Sequence, residues 1–410
     1  MNLSFKWILI TVTAISVVSD SILIPFYPQF FADVFNVADS QYVGFYLAVY
    51  CLVVMLAFPV WAAVAKRVSL LQLLVYTQLV AGVLSVLCYW ATSLSLFWGL
   101  SLAMMLFKAS YLLVYPYLLS LEAKHEHGTT IGVLAVVVEF GAIFGALIGG
   151  VMLQWFDARQ AFLVMAAGDF IQMAVCFWLV TWGKEKMPSQ ANSVDEALAV
   201  EASQQSDLQT GTATMPMRGG TVFKISVVML LFYFSAFLTY HFFTQYWSSF
   251  SIYDGELVSS VVFAIPAFMA LLGLWFNQRS QKPLEVHTGL MSAVLLGAVG
   301  ILLQGVQHEI WIVIGRCLFG WAIFQAIVRL DLLLFQLSSP ETYATDYSKI
   351  RISQSLGVLL AAYAAGFIVA ERGGQVMFIV SSVGLIITII GFVYLFKTEI
   401  KASKEVAQST

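Results

Sequence analysis

Seven ionisable residues stand inside otherwise apolar runs, and their types set the chemistry open to the chain: Asp20, Lys108, Glu139, Asp169, Arg316, Arg329 and Asp331. A charged side chain near the centre of a bilayer costs at least about 2.5–3.5 kcal/mol on insertion scales, so such residues turn toward a bundle interior or a wet cavity. A lysine or arginine held there can anchor an anion. A carboxyl held there can take up and release a proton as desolvation and neighbouring cations change around it. Lys108 and Arg316 are therefore expected to bind substrate, and Asp20 and Glu139 to exchange protons.

At about 1.5 Å per residue, Lys108 and Glu139 lie at similar depth, about 13–18 Å from one membrane face, and Asp20 about 20 Å from it. Two readings of Lys108 stay open: an anchor that moves with substrate, or a fixed pair with Glu139. Asp169 reads as a structural acid. Tyr111 and Tyr115, which follow Lys108, and Tyr233, Phe237 and Tyr240 at helical spacing are expected to line the same route. Tyr246 and Trp247 read as a headgroup-level aromatic belt, with His241 a satisfied interfacial histidine. Arg329 and Asp331 are two apart and cannot face one another on a helix; together with Arg67 they read as gate residues at a membrane face.

The elements that must carry these residues follow from hydropathy. The chain has 410 residues, 60% hydrophobic and only 10% charged, with a mean hydropathy of +0.87, against roughly 25% charged in soluble proteins. A span needs about 20 apolar residues. Apolar runs place spans near 7–32, 42–64, 70–92, 94–120, 130–154, 160–182, 221–248, 256–277, 286–306, 309–336, 347–370 and 375–397. The stretch between the sixth and seventh, rich in Ser, Gln, Thr, Ala and acids, has the composition of a solvated linker. The expected organisation is an all-α integral membrane protein: a six-helix bundle at 1–182, a linker at 183–220, a second six-helix bundle at 221–397 and a tail at 398–410.

Fifteen of the 20 Lys and Arg fall on the side of the termini, Arg159 and Arg372 on the other, and three within spans. Basic residues stay on the cytoplasmic side, so both termini are expected there. A net charge of −3 without a basic run excludes a nucleic-acid partner. Cys51, Cys88, Cys176 and Cys317 lie in apolar stretches without metal-ligand spacing and read as small buried residues. The absence of a Gly-x-x-x-x-Gly-Lys-Ser/Thr sequence excludes an ATP-driven pump. No constellation for catalysis or metal binding is visible, so no enzyme activity and no cofactor are expected, and a channel would need rings of filter groups that the sequence lacks.

The six-plus-six layout resembles the major facilitator superfamily of secondary transporters across essentially the whole chain. Gly141-Ala-Ile-Phe-Gly145-Ala-Leu-Ile-Gly149-Gly150 looks like the glycine-rich antiporter motif of its exporters, with Ala146 where proline is usual. Glycines spaced by four share one face and admit a close backbone, either to slide or simply to pack. Arg316-Cys-Leu-Phe-Gly320 is similar to the family's Arg-x-x-x-Gly signature, which the fourth span replaces with Lys108. Trp155-Phe156-Asp157-Ala158-Arg159-Gln160-Ala161-Phe162 resembles its link between helices 5 and 6, whereas the loop motif after helix 2 keeps only Arg67. Ile24-Pro25-Phe26-Tyr27-Pro28 and the run from Lys108 to Pro116 are reminiscent of bacterial siderophore exporters. The resemblance implies alternating access around a midplane site. The expectation is proton-coupled export of a small organic anion such as a carboxylate siderophore, by a monomer in the bacterial inner membrane. The alternative is a multidrug antiporter for lipophilic compounds, and in either case the proton gradient supplies the driving force.

Overall fold

The computed structural model describes residues 3–120, 127–182, 219–280, 285–337 and 343–397; the expected tail, and all but the last two residues of the expected linker, lie outside them. Among the described residues, twelve helices are long and apolar enough to cross a membrane. They are α1 (Phe5–Phe35), α2 (Ser40–Ala65), α3 (Leu70–Trp90), α4 (Leu94–Leu118), α5 (Gly132–Trp155), α6 (Ala158–Thr181), α7 (Gly220–Phe237), α8 (Glu256–Arg279), α9 (His287–Gln304), α10 (Glu309–Leu334), α11 (Lys349–Arg372) and α12 (Gly374–Leu395). Helices suit lipid because each satisfies its own backbone groups. Short polar residues start them: Asp39 accepts from the Gln41 amide at 2.9 Å before α2, and Ser93 from the Leu96 amide at 3.3 Å before α4.

Two of the spans that carry charges, α1 and α4, are interrupted, whereas α5, α6 and α10 run as continuous helices. In α1, helix Leu3–Ser21 gives way to a 3-10 turn at Ile24–Phe26 and resumes over Tyr27–Phe35. Pro25 and Pro28 lack the N–H groups that Ser21 and Ile24 carbonyls would otherwise receive. In α4, the helix stops at Lys108, passes through a 3-10 stretch at Ala109–Leu113 and restarts at Val114, with Pro116 removing the donor for Leu112. Beyond the end of α7 at Phe237 the chain turns and forms a short helix at Phe243–Ser248, so the expected continuous span at 221–248 is broken.

The first six and last six spans pack mainly among themselves, and the two sets meet where α2 lies on α11 and α5 on α8. The tightest meetings sit at the face opposite the termini. A Cβ on Gly44 would fall 2.7 Å from Gly366 Cα, and one on Gly150 would fall 2.7 Å from Glu256 O. Gln154 Oε1 accepts from the Leu257 amide at 2.9 Å, Gln29 Nε2 donates to Thr244 Oγ1 at 3.0 Å, and Thr244 donates to the Pro25 carbonyl released at the α1 break.

Candidate functional site: charges at the helix breaks

Lys108, at the end of the first α4 segment, projects into the N-terminal set. Its Nζ lies 2.8 Å from Asp20 Oδ1, 3.2 Å from Asp169 Oδ1 and 3.0 Å from Ser19 Oγ. Lys108 and Asp169 are each 1% exposed and Asp20 11%. The cluster ties α1, α4 and α6 together, and α3 joins through Ser85, 3.1 Å from Asp169 Oδ2. Around it run Ser16 to Gln172 at 2.6 Å and Thr77 with Ser110 at 2.7 Å. Tyr111 interacts with Asp20 through its hydroxyl. Of the two readings of Lys108, the fixed pair with Glu139 is not the one found: depth matched, but Lys108 turns to Asp20 and Asp169. Asp169, read as a structural acid, is a full member of the cluster.

The glycines of α5 explain how α1 reaches this position. Cβ atoms on Gly141, Gly145 and Gly149 would meet Val17, Ser21 and the Ile22 carbonyl at 2.7, 2.5 and 2.0 Å. Three of the four motif glycines thus admit α1 within the N-terminal set. Gly150 alone faces α8 across the seam.

In the C-terminal set, Arg316 is 3% exposed and meets no carboxylate among the described residues. Its Nε donates to Val262 O at 3.1 Å and its Nη2 to Phe263 O, while its guanidinium stacks over Phe243 at 4.0 Å and Phe263 at 5.3 Å. The cause is local. Pro266 cannot donate to Val262 O four residues back, and Arg316 supplies the missing donor. Gly320, one turn beyond Arg316, is where Pro266 fits, since a Cβ there would lie 2.4 Å from Pro266 Cα. The Arg-x-x-x-Gly spacing thus grips a proline kink. Arg316→Met leaves the buried Val262 carbonyl without a donor, at about 1–3 kcal/mol. Unfolding of the detergent-solubilised protein should register that loss, and adding Pro266→Ala, which restores the Val262 donor, should recover part of it.

Glu139 is half-buried on α5, without a hydrogen bond or ion pair among the described residues. Tyr240 lies within electrostatic range of both Glu139 and Arg316 and packs on Phe237 at 5.5 Å, which stacks on Tyr233 at 5.7 Å. These aromatics therefore form one continuous run, whose Tyr240 end is in range of Glu139. Tyr115 is half-buried on the second segment of α4.

Other expectations change. Tyr246 and Trp247 are not a headgroup belt but are buried, with Tyr246 donating to Gly305 O at 3.2 Å and Trp247 to Tyr253 O at 2.9 Å. His241 is buried, its ring packed edge-on against Tyr240 at 5.1 Å. Arg329 is tied within its own half, to Glu285 O at 3.1 Å and Gln325 Oε1 at 2.5 Å. Asp331 lies in electrostatic range of Arg351, and Arg67 is exposed in the turn after α2. In the link between α5 and α6, Asp157 accepts from the Arg159 amide at 2.8 Å and Arg159 reaches Ala91 O at 2.8 Å.

Twelve spans in two sets, with ion pairs and kinks held at mid-helix, define a multi-pass membrane protein with a transporter fold. The Major Facilitator Superfamily model matches residues 9–329, and the chain belongs to that family. Among solved structures it is similar to the human organic anion transporter MFSD10 (TETRAN), at 14% identity over 94% of this chain and 98% of that one, with a TM-score of 0.65. It is also similar to the nucleoside transporter NupG, at 12% identity over 97% and 100% of the chains with a TM-score of 0.70, and to a substituted form of NupG, at 12% over 95% and 99% with a TM-score of 0.75. These likenesses are of fold. No curated protein matches the chain significantly.

Proposed function

We propose that the chain is a proton-coupled exporter of a small organic anion, carboxylate-bearing and siderophore-like, working as a monomer by alternating access in a bacterial inner membrane with both termini cytoplasmic. The observation that carries the substrate reading is Arg316, a buried cation with no carboxylate partner among the described residues. A bound carboxylate would supply the missing counter-charge, the arrangement in which a buried arginine is least costly. Lys108 is already matched by two aspartates, so in this reading it organises the N-terminal half rather than attracting the anion. Asp20 and Glu139 serve proton coupling, Tyr111, Tyr115, Tyr233, Phe237 and Tyr240 line the route, and Arg67, Arg329 and Asp331 act near its terminal face.

Glu139 favours a second reading. An unpaired carboxylate in electrostatic range of Tyr240, the last ring of the Tyr233, Phe237 and Tyr240 run, suits a lipophilic cation of the multidrug type. Reconstituted protein under an imposed pH gradient, offered a citrate-type siderophore and a lipophilic cation in separate arms, distinguishes the two. Movement of the siderophore supports anion export, and movement of the cation alone supports the second reading. In either arm, Glu139→Gln is expected to cut gradient-driven flux at least tenfold while leaving the unfolding midpoint within about 0.5 kcal/mol of the parent, because no partner is orphaned. Unchanged flux would remove Glu139 from the coupling scheme.

A further inference from the structure

The cluster around Lys108 carries one ammonium and two carboxylates inside the N-terminal set, a net charge of −1 if both acids are ionised. We propose that it is a proton-binding site in which a single additional proton resides on Asp169 Oδ2, within the N-terminal half and away from the seam between the halves. Its use in coupling rests on the proton-driven reading above; the binding itself does not.

Donor counting points to the atom. The Lys108 ammonium has three N–H groups, and three acceptors surround it: Asp20 Oδ1, Asp169 Oδ1 and Ser19 Oγ. Ser19 in turn donates to Met165 O at 3.1 Å. Asp169 Oδ2 is left with Ser85, whose single hydroxyl proton faces two acceptors, Asp169 Oδ2 at 3.1 Å and Met104 Sδ at 3.0 Å. One hydroxyl proton cannot serve both. With a proton on Oδ2, Asp169 donates to Ser85 and Ser85 donates to Met104, so every contact has a donor and the cluster is neutral. The proton comes from water and adds to the carboxylate; no other bond forms or breaks.

Geometry places the proton on Asp169 rather than on Asp20, because Asp20 holds the shorter contact to Lys108, is the less buried of the two, and has the Tyr111 hydroxyl beside it. The titratable groups facing the cluster from neighbouring elements are Tyr50 of α2, near Asp20, and Cys88 of α3, near Lys108. Neither supplies a second cation. An unneutralised carboxylate in this setting would carry the desolvation cost of a buried ion without a partner of its own. No contact joins α6 to the C-terminal set among the principal helix pairings, so the proton sits apart from Arg316.

Infrared spectroscopy of the full chain in nanodiscs, with carboxyl-13C aspartate, reads the site directly. At neutral pH an isotope-shifted carboxylic-acid C=O band is expected. It should vanish in Asp169→Asn and also in Asp20→Asn, because either change leaves one lysine and one carboxylate and no need for a proton. It should persist in Glu139→Gln. If the Asn variants fail to fold, a pH titration of the labelled parent still shows whether a buried aspartic acid is present. Absence of the aspartic-acid band, or its survival in Asp169→Asn and Asp20→Asn alike, would overturn the proposal. Failure of the coupling reading looks different: the band is present while flux in liposomes ignores the pH gradient, in which case the site stands and proton-driven export falls.

Discussion

Lys108→Gln is expected to destabilise the protein by about 3–5 kcal/mol, the range found when one partner of a buried ion pair is removed, and to abolish transport. The size follows from what remains: Asp20 and Asp169, both close to the vanished Nζ, would keep buried negative charge with no cation beside it. Protonation removes that charge, so the deficit should shrink as pH falls and grow as it rises. Unfolding of purified protein across a pH series measures both the loss and its slope. The triple variant Lys108→Gln/Asp20→Asn/Asp169→Asn removes every charge and should regain most of the stability without regaining transport. A single Lys108→Gln protein as stable as the parent at alkaline pH would refute the ion-pair account.

The second large effect concerns the seam. In Gly366→Val the new Cβ would fall 2.4 Å from Ser40 O and 2.7 Å from Gly44 Cα. Both are backbone atoms on a helix start and cannot rotate aside. A penalty of about 5.5 kcal/mol takes a two-state equilibrium from 99:1 to 1:99, and an overlap this deep against two backbone atoms of α2 is of that order. The contact between α2 and α11 should therefore be lost and the far face held open. Spin labels at Ala38 and Glu371, both exposed beside this contact, should move to a longer separation, and transport should fall to background. Gly99, where an added Cβ would meet nothing within 4 Å, provides the control: Gly99→Val should leave separation and flux unchanged.

The twelve spans were legible in the sequence because hydropathy is a one-dimensional signal and lipid tolerates few alternatives. The charges were legible as candidates for the same reason, but their partners were not. Counting residues from a helix end gives depth and says nothing about direction around the axis. Glu139 and Lys108 matched in depth, yet Glu139 is two residues from Gly141, roughly 200° around the helix, and Gly141 packs on α1. The glycine stripe therefore already turned Glu139 away from the α1 side on which Asp20 meets Lys108. Asp169 carried a comparable signal, since Gly168 beside it packs on Ser19, but only the fold reveals that neighbour.

Arg316 was visible as a cation and Pro266 as a break, while their union depended on α8 and α10 lying together. Tyr246 and Trp247 misled for another reason. Their position near a membrane face suggested the headgroup region, whereas the interruption after Phe237 folds the short helix Phe243–Ser248 back into the bundle.

The two sets of helices are held by different forces, and this makes them unequal in stiffness. The N-terminal set is riveted through its centre by opposite charges shielded from water, where electrostatic attraction is strong and any shear must separate ions. The C-terminal set is held at the corresponding level by an arginine on the carbonyls of a bent helix, a grip that can pass from one oxygen to the next at little cost. Under the alternating access proposed above, the deformation is then expected to fall on α7 and α8 against a comparatively rigid frame, rather than on two identical halves rocking in step.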